Sequence, residues 1–412
     1  MNKIIVVGAG PAGIMAAIRS AELKQDVTLI EKNPSLGRKL LLSGKGRCNL
    51  TNACNLDSFI KRFSPNGEFL RDAFKKFFNR ELIEFFESRG LKLDIERQER
   101  VFPATDRAES VLEVLMKELD KNKVKIIYNA KIMEIRARQN KVWGVSLEDG
   151  SGLSADKVIL ATGGASFGFT GSTGEGFNIV QKLGHTIVPL RPALVPLETK
   201  QKIPLSLKGL TLKNIRLNFS DGKRSAVSDV GELLLTHFGI SGPLILSFSG
   251  KIVDWIRQGK GVFVEIDLKP GLTKEQLEAR ILREFKENPK KNIKSILCNL
   301  LPKSLAGVFA EMAGIKGEKK VSQISQPERR KLVSLLKAWR MDIAGSRPLS
   351  EAMVTQGGVS LKEINPRTME SRLIKGLYFA GEMIDLAADT GGFNLQEAFS
   401  TGYLAGESAA AN

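Results

Sequence analysis

The chain has 412 residues, enough for two or three hydrophobic cores, and its apolar content of 42% and charged content of 26% are ordinary for a globular protein. Three cysteines exclude a disulfide scaffold, two histidines without a Cys/His cluster predict no metal site, and no apolar run is long enough to span a membrane. The net charge of +17 permits anionic partners without requiring them, and the absence of a recognisable export signal makes a cytoplasmic protein our expectation.

The first predicted elements are a strand, a glycine-rich turn and a helix. Residues 3–7 form a short apolar run, GAGPAG follows at residues 8–13, and apolar residues then recur at helical spacing. A second strand is predicted at residues 27–30, directly before Glu31. This order of elements predicts one βαβ unit.

Such a unit predicts a dinucleotide site. Gly8 allows the tight turn, Gly10 lets a pyrophosphate approach the backbone, and Gly13 lets helix and strand pack closely. The helix N-terminus offers N–H groups to the phosphates, and Glu31 can accept hydrogen bonds from both ribose hydroxyls. The predicted site also includes Pro11, Ala12 and Lys32.

The next segments continue an α/β pattern. Residues 69–89 are rich in phenylalanine with helical periodicity, and Gly90 follows as a C-terminal cap. Residues 126–150 alternate like strands, and a short strand at residues 157–160 leads into ATGG. The stretch VILATGGAS resembles a second FAD signature of flavoproteins with two dinucleotide-binding domains, and its candidate cofactor residues are Ala161, Thr162, Gly163 and Gly164.

The pattern changes near three prolines at positions 189, 192 and 196. Antiparallel strands are predicted after them, with a turn at Asp221 and Gly222, and a helical stretch follows at about 273–340 with two capping boxes. The α/β pattern returns near Met341, and the last strand is predicted at residues 377–380. We therefore predict an FAD domain at 1–190 and 341–412, split by a β-rich insert at 191–270 and a helical insert at 271–340.

The stretch GLYFAGEMIDLAADTGGFNLQEAFSTGYLAG, at residues 376–406, is the third motif. A strand ends in AGE, and a glycine pair then opens a helix whose N-terminus would stabilise negative charge near flavin N1 and O2. We predict that Glu382 binds the ribityl chain with the help of Asp385. The other candidate cofactor residues here are Gly381, Gly391, Gly392, Phe393, Asn394 and Leu395. Three motifs in this order favour FAD over a lone NAD.

Together these motifs resemble the bacterial FAD-binding proteins of the aminoacetone oxidase type, also called BaiN-like and formerly NAD(FAD)-utilising dehydrogenases. The resemblance covers nearly the whole chain, and it also rests on GRKLLLSGKGRCNLTN, VFPATDRAESV, GSTGEG, THFGISGP and TQGGVSLKEINPRTM. It implies FAD, an α/β Rossmann-type domain, and an insert with a β-barrel-like part and a helical part.

The stretch LLLSGKGRCNLTNAC, at residues 40–54, has several possible roles. Lys45 is followed by glycine, and the Walker spacing is absent, so we exclude a P-loop. A redox pair of Cys48 and Cys54 and a plain surface loop remain alternatives to a cofactor loop. In the cofactor interpretation Arg38 and Lys39 neutralise the pyrophosphate, and the loop contacts the flavin or substrate through Ser43, Gly44, Gly46, Arg47, Asn49, Thr51 and Asn52.

Candidates for catalysis are few. His237 is the best general base by residue type, although a packed or capping histidine is the alternative, and His185 is expected to be structural. Arg100 can bind a substrate carboxylate, with an ordinary exposed arginine as the alternative. The basic runs at residues 286–294, 316–320 and 328–331 lack aromatic residues, so we interpret them as a solvated face.

We predict an FAD-dependent oxidoreductase that passes hydride between a small organic substrate and flavin N5. By resemblance the substrate is an amino ketone or amine, and no membrane partner is expected. Three alternatives stay open. The first is an NAD(P)H-dependent flavin reductase or dehydrogenase that binds NAD(P)H transiently, and the second is an RNA-associated flavoprotein that uses the basic insert. The third is a flavin-binding protein without turnover that acts as a regulator or partner. The sequence does not predict the oligomeric state.

Overall fold

The computed structural model describes residues 1–63 and 65–411. It divides the chain into two compact units. The first unit comprises Met1–Ala193 and Pro348–Asn412, and the second unit comprises Leu194–Arg347. The second unit is therefore a continuous segment inserted into a discontinuous one. Among the described residues, no helix is long and apolar enough to cross a membrane.

The strands and helices alternate in the first unit and segregate in the second. In chain order the strands are Lys3–Val7 (β1), Asp26–Ile30 (β2), Thr51–Asn52 (β3), Leu93–Glu96 (β4), Arg100–Pro103 (β5), Lys125–Ile127 (β6), Ile132–Arg138 (β7), Lys141–Leu147 (β8), Gly152–Ser154 (β9), Lys157–Leu160 (β10), Ile187–Ala193 (β11), Leu197–Thr199 (β12), Thr211–Ser220 (β13), Ser225–Val227 (β14), Gly231–Leu235 (β15), Gly239–Ser241 (β16), Val262–Asp267 (β17), Trp339–Ser346 (β18), Val354–Val359 (β19) and Leu377–Phe379 (β20). The helices are Pro11–Glu22 (α1), Arg38–Leu42 (α2), Leu56–Ile60 (α3), Arg71–Lys76 (α4), Asn79–Glu87 (α5), Ala108–Lys121 (α6), Glu175–Lys182 (α7), Pro243–Arg257 (α8), Lys274–Glu287 (α9), Ile293–Leu297 (α10), Lys303–Met312 (α11), Gln326–Lys337 (α12) and Phe393–Ala411 (α13).

A parallel five-stranded sheet organises the first unit. Its strand order is β20-β10-β1-β2-β6, so the first, middle and last motifs follow neighbouring strands. The central strands are almost continuous apolar runs and are buried, as expected for a parallel sheet covered on both faces. The predicted Rossmann-type α/β fold is confirmed. Because the carboxyl ends of parallel strands meet at one edge, this topology brings the three motifs together.

Helices α1 and α13 pack closely on this sheet. A Cβ atom on Gly402 or Gly406 would collide with the backbone of Ala12 or Ala16, so both glycines are required by the close approach of the helices. Ser20 adds a hydrogen bond of 3.1 Å from its hydroxyl to the Gly406 carbonyl. The helix that follows the first motif is thus fixed to the helix that follows the third.

The phenylalanine-rich segment forms two helices, α4 and α5, instead of one continuous helix. The chain is extended at Phe77, with φ of −152° and ψ of 94°, which separates them. Gly90 follows α5 with φ of +87°, as the predicted cap requires. Phe59 contacts the rings of Phe74 and Phe393 at centroid distances of 5.1 and 4.7 Å. This aromatic cluster packs the segment against the start of α13.

The second unit combines a β-barrel with helices. Strands β13, β15, β16, β12, β18 and β17 pair in that order, and β17 pairs again with β13, which closes the ring. The barrel-like part implied by the resemblance is therefore present. It also holds a fifteen-residue helix, α8, inside the segment predicted to be β-rich, and Pro243 stands at its first turn. Met341, where we predicted the return of the α/β pattern, lies in β18 of this barrel.

The local signals in the second unit are found where they were predicted. Thr273 caps α9 and Ser325 caps α12, and both form the expected capping boxes. The turn at Asp221 and Gly222 joins β13 to β14. The helices α9 to α12 share one hydrophobic core with the barrel.

Candidate functional site

The glycine-rich turn between β1 and α1 forms an open cradle. Gly8 has φ of +97°, and a Cβ atom there would lie 2.5 Å from the Ala161 carbonyl oxygen. A Cβ atom on Gly13 would collide with the Gly8 carbonyl oxygen, whereas one on Gly10 would have no neighbour within 4 Å. Gly8 and Gly13 are therefore required by packing, and Gly10 leaves the backbone accessible at the N-terminus of α1. The turn at Gly8 and the close packing at Gly13 agree with the predicted roles, and the approach of a pyrophosphate at Gly10 stays a prediction.

Glu31 lies at the end of β2, directly beside this turn. Its side chain is 8% exposed and accepts hydrogen bonds from the backbone N–H of Ala9 at 2.8 Å and of Asn33 at 2.9 Å. The Asn33 amide also donates to it at 2.6 Å. Each carboxylate oxygen can accept more than one hydrogen bond, so Glu31 keeps capacity for a ribose hydroxyl while it holds the turn. Asn33 was not among the predicted residues; its amide also donates to the Thr170 carbonyl at 3.3 Å, a contact between distant parts of the chain.

The three basic side chains near the turn have different partners. Lys32 forms an ion pair of 2.9 Å with Glu175, and Lys39 forms one of 2.6 Å with Glu382. Arg38 donates to the Asn33 amide oxygen at 2.7 Å and, in the part of the chain that the structure describes, forms no ion pair. Of these three side chains, Arg38 is therefore the one whose positive charge is not paired with a carboxylate and is available to a phosphate ligand.

A polar network surrounds Glu382, which follows β20. One carboxylate oxygen binds Lys39, and the other accepts the Thr355 backbone N–H at 2.6 Å and the Ser166 hydroxyl at 3.0 Å. The Ser166 hydroxyl also accepts a hydrogen bond of 2.8 Å from Lys39. Gly164 is part of this arrangement, because a Cβ atom there would collide with the Thr355 side chain. The network joins loops that lie far apart in the sequence, and Ser166 and Thr355 were not among the predicted residues.

The loop after β10 and the turn after β20 also meet. The Thr162 hydroxyl lies 2.9 Å from the Met383 sulfur, and Gly163 has φ of +77°. The Gly381 N–H donates to the Thr401 hydroxyl on α13 at 2.9 Å. Ala161, Thr162, Gly163, Gly164 and Gly381 therefore lie at one edge of the parallel sheet, where the βαβ turn also lies.

The stretch that contains Asn49 and Asn52 packs against the glycine pair that opens α13. The Asn49 amide, oriented to satisfy its neighbours, accepts the Gly392 N–H at 3.0 Å. Asn52 donates to the Gly391 carbonyl at 3.3 Å, and a Cβ atom on Gly392 would collide with the Thr51 backbone. These polar side chains hold the helix N-terminus in place.

The first turn of α13 is fixed by its own residues as well. Asn394 accepts the Ala388 N–H at 2.9 Å and donates to the Ala388 carbonyl at 3.1 Å, which orders the loop before the helix. Phe393 belongs to the aromatic cluster, and Leu395 packs partly buried on the core. In the same loop, the Asp385 N–H donates to the Val359 carbonyl at 3.2 Å.

The tight turn at residues 43–46 precedes this stretch. Gly44 and Gly46 have φ of +58° and +85°, and the Ser43 hydroxyl donates to the Leu40 carbonyl at 2.7 Å. Arg47 forms hydrogen bonds of 2.5 Å to Glu96 and 2.6 Å to Asp106. The guanidinium of Arg47 is therefore neutralised by carboxylates of the chain itself, and its predicted contact with the cofactor would require these bonds to open.

The two cysteines of this stretch are free thiols. Cys48 is fully buried, and burial raises the pKa of its thiol to about 12. Cys54 is partly buried, and burial raises the pKa of its thiol as well. Because thiolates are the reactive form, this geometry does not favour the redox-pair alternative.

The candidates for catalysis lie in different units. Arg100 is in β5 and pairs with Asn52 of β3, which places it next to the loop that holds α13. His237 is in the second unit, exposed in the turn between β15 and β16, with its ring against Phe238. Both roles stay predictions. His185 is buried between α7 and β11 and binds the Ser371 hydroxyl at 2.8 Å, as expected for a structural histidine.

One buried acid at this edge was not predicted. Glu397 lies on the inner face of α13 and is 4% exposed. Burial, together with the nearby carboxylate of Glu382, raises its pKa to about 8. A glutamate on a helix gives no signal in the sequence that distinguishes a buried carboxyl from a solvated one. No group of three or more metal-ligating side chains occurs among the residues that the structure describes.

The residues at this edge fit FAD. The open backbone at Gly10 and the uncommitted charge of Arg38 suit a pyrophosphate, and the buried carboxylate of Glu31 suits a ribose. The N-terminus of α13 suits a ring that gains negative charge. The individual contacts with the cofactor stay predictions, because residue roles rest on this fit alone.

Comparisons with known proteins agree with this arrangement. The chain is similar to the 3-dehydro-bile acid delta(4,6)-reductase of Clostridium scindens, with 34% identity over 100% of this chain and 99% of the relative. It is also similar to the ribosomal RNA dihydrouridine synthase of Haemophilus influenzae, with 33% identity over 98% of this chain and 97% of the relative. Among solved structures, the chain is similar to the 3-ketosteroid delta1-dehydrogenase of Sterolibacterium denitrificans. The superposition covers 100% of both chains with 13% identity and a TM-score of 0.55, which shows a shared fold.

Residues 2–408 match the family described as "HI0933-like protein Rossmann domain". The match covers almost the whole chain, including all three motifs and the inserted second unit. The predicted cofactor FAD and the predicted enzyme class, an FAD-dependent oxidoreductase, are thereby confirmed. The chain belongs to the HI0933-like family of Rossmann-domain flavoproteins.

Proposed function

We propose that the chain is an FAD-dependent reductase that saturates a carbon–carbon double bond conjugated to a carbonyl group, and that its substrate is a uracil base in RNA. One observation supports the reaction. The two relatives at 34% and 33% identity have different substrates by name, but both names describe reduction of such a double bond. The carbonyl group polarises the double bond, so that hydride adds to the distant carbon and a proton adds to the carbon beside the carbonyl.

The charge distribution supports RNA over a small ketone. The second unit contains 28 lysines and arginines against 15 aspartates and glutamates, so it carries +13 of the net charge of +17. The first unit, which contains the candidate FAD site, carries only +4 over more residues. A reductase of a small neutral ketone does not need positive charge concentrated in one unit. The phosphate backbone of an RNA substrate, in contrast, is attracted by such a charge.

The chain's own residues would act mainly by binding and orientation. Arg38 and the N-terminus of α1 would hold the pyrophosphate, Glu31 would bind the ribose, and Glu382 would bind the ribityl chain within its network of Lys39, Ser166 and Thr355. When bound and reduced, FAD supplies a hydride at N5. The N-terminus of α13 would stabilise negative charge near N1 and O2. Arg100, in the first unit, is the candidate for holding the substrate carbonyl, and the general-base role of His237, in the second unit, stays a separate prediction.

The oxidation of an amino ketone or amine would run hydride in the opposite direction. It rests on resemblance, and neither relative described above is named for such a reaction. The NAD(P)H-dependent alternative is compatible with the proposal, since a reductase requires a reductant and a reduced nicotinamide is a suitable one.

The test is an anaerobic absorption experiment on the purified protein. NADH and then NADPH are added first, and the bleaching of the flavin is recorded. Uracil-containing RNA, an adenine-only RNA and a small conjugated ketone are then added separately to the reduced protein. We expect flavin absorbance to return only with the uracil RNA, and mass spectrometry to find two added hydrogens on uracil. Reoxidation by the ketone alone, or reduction of the flavin by an amino ketone, would contradict the proposal.

A further inference from the structure

The three basic runs of the second unit converge in space. The Val321 N–H donates to the Lys291 carbonyl at 3.0 Å, and the Lys294 N–H donates to the Gly317 carbonyl at 3.1 Å. The run at 286–294 therefore lies beside the run at 316–320. The third run, at 328–331, also lies close to the second. The Lys331 ammonium is 3.7 Å from the position of a Cβ atom built on Gly314, which stands two residues before the run at 316–320.

Their side chains form one exposed surface, which we call the basic surface and define as Lys290, Lys291, Lys294, Lys316, Lys320 and Lys331. All six are exposed, and in the part of the chain that the structure describes none of them forms an ion pair. The acids of these three runs are Glu287 and Glu318, which are exposed, and Glu328, which is held by Lys319 at 2.8 Å while it caps α12. The positive charge of the basic surface is thus largely uncompensated.

We propose that the basic surface binds the phosphate backbone of RNA. This inference rests on the proposed function, in which the uracil substrate is part of an RNA. The surface presents lysines without aromatic side chains, so it suits phosphates and not the stacking of bases. It would therefore add affinity and orientation, while the choice of the base would be made elsewhere.

The number of lysines sets the expected salt dependence. Six phosphate contacts predict a slope of log K against log salt of about −4 to −5, since each contact contributes roughly −0.7 for single strands and −0.9 for duplexes. Removing three of the lysines should make the slope shallower by about 2 to 3. At moderate salt the affinity should fall by about tenfold or more.

The test compares two triple variants with the same change in net charge. The first is Lys291→Gln, Lys294→Gln and Lys320→Gln on the basic surface. The matched control is Lys200→Gln, Lys202→Gln and Lys208→Gln, three exposed lysines of the same unit that lie outside it. Binding of a ribosomal RNA fragment is measured by filter binding between about 50 and 200 mM salt. Flavin absorbance and urea unfolding confirm that both variants are folded.

We expect only the first variant to bind RNA more weakly and to show a shallower dependence of log K on log salt. Equal losses in both variants would mean that net charge alone matters, and would overturn the proposal. Loss of binding to anionic lipid vesicles with unchanged RNA binding would overturn it as well. If the first variant loses RNA binding while the wild type reduces no uracil, the basic surface stands and the proposed reaction fails.

Discussion

Replacing Glu31 with alanine tests the centre of the candidate cofactor site. The substitution removes the acceptor of three hydrogen bonds and leaves the Ala9 N–H buried without its partner. An unsatisfied buried donor costs about 1–3 kcal/mol, so the free energy of unfolding of the protein without FAD should fall by that amount. If the carboxylate also binds the ribose, a charged hydrogen bond of about 1.5–3 kcal/mol is lost from FAD binding. That corresponds to a roughly ten- to hundredfold weaker Kd.

A matched variant separates the two effects. Asn33→Ala removes a donor to Glu31 and the acceptor for Arg38, but it keeps the carboxylate. Kd is measured by titrating the FAD-free protein with FAD and following flavin fluorescence, and stability is measured by urea unfolding. We expect Glu31→Ala to lose clearly more FAD affinity than Asn33→Ala. Equal losses would mean that Glu31 only holds the turn, and full FAD occupancy of purified Glu31→Ala would refute its role altogether.

Three further predictions concern residues described above. Gly8→Ala should destabilise the protein by about 1–3 kcal/mol and lower its FAD occupancy, because Gly8 has φ of +97° and a Cβ atom would press on the Ala161 carbonyl. Thermal unfolding and flavin absorbance measure the two effects, and an unchanged Tm would contradict the prediction. At pH 8 an alkylating reagent should label Cys54 and not Cys48, because the Cys48 thiol has a pKa of about 12 and stays protonated. Peptide mass spectrometry identifies the labelled cysteine, and early labelling of Cys48 in the folded protein would contradict the prediction. Glu397 has a folded pKa of about 8 against an ordinary value of 4.5, so the folded state binds the extra proton and stability should fall by up to about 1.4 kcal/mol per pH unit as the pH rises between those values. Urea midpoints at several pH values should show this decline in the wild type, and Glu397→Gln should be flatter; parallel curves would exclude Glu397 as the cause.

The parts of the site that the sequence predicted are those governed by local chemistry. Gly8, Gly10 and Gly13 have roles set by a turn six residues long, and the capping boxes at Thr273 and Ser325 depend on side chains three positions apart. Such features depend little on the rest of the chain. The order of the three motifs then predicted the parallel sheet, because a Rossmann-type topology places their loops at one edge.

The features that were not predicted depend on contacts across the chain. Lys39 was expected to neutralise a phosphate, but it is paired with Glu382, more than three hundred positions away in the sequence. Arg47 is paired with Glu96 and Asp106, and no spacing announces these partners. Whether such a cation binds a ligand or a carboxylate of the chain depends on distances in the folded structure. Sequence reasoning could name the charged residues, but it could not assign their partners.

The discontinuity of the first unit has a consequence for biosynthesis. The second unit is a continuous segment, so its barrel and helices are all made before the ribosome reaches β19, β20 and α13. The inner surface of α1 stays uncovered until α13 emerges, because Gly402 and Gly406 provide its packing partner. The part of the candidate FAD site at the N-terminus of α13 is therefore completed only after the inserted unit has been made. A chain stalled before Phe393 would lack the helix that covers α1 and would leave the apolar face of α1 exposed.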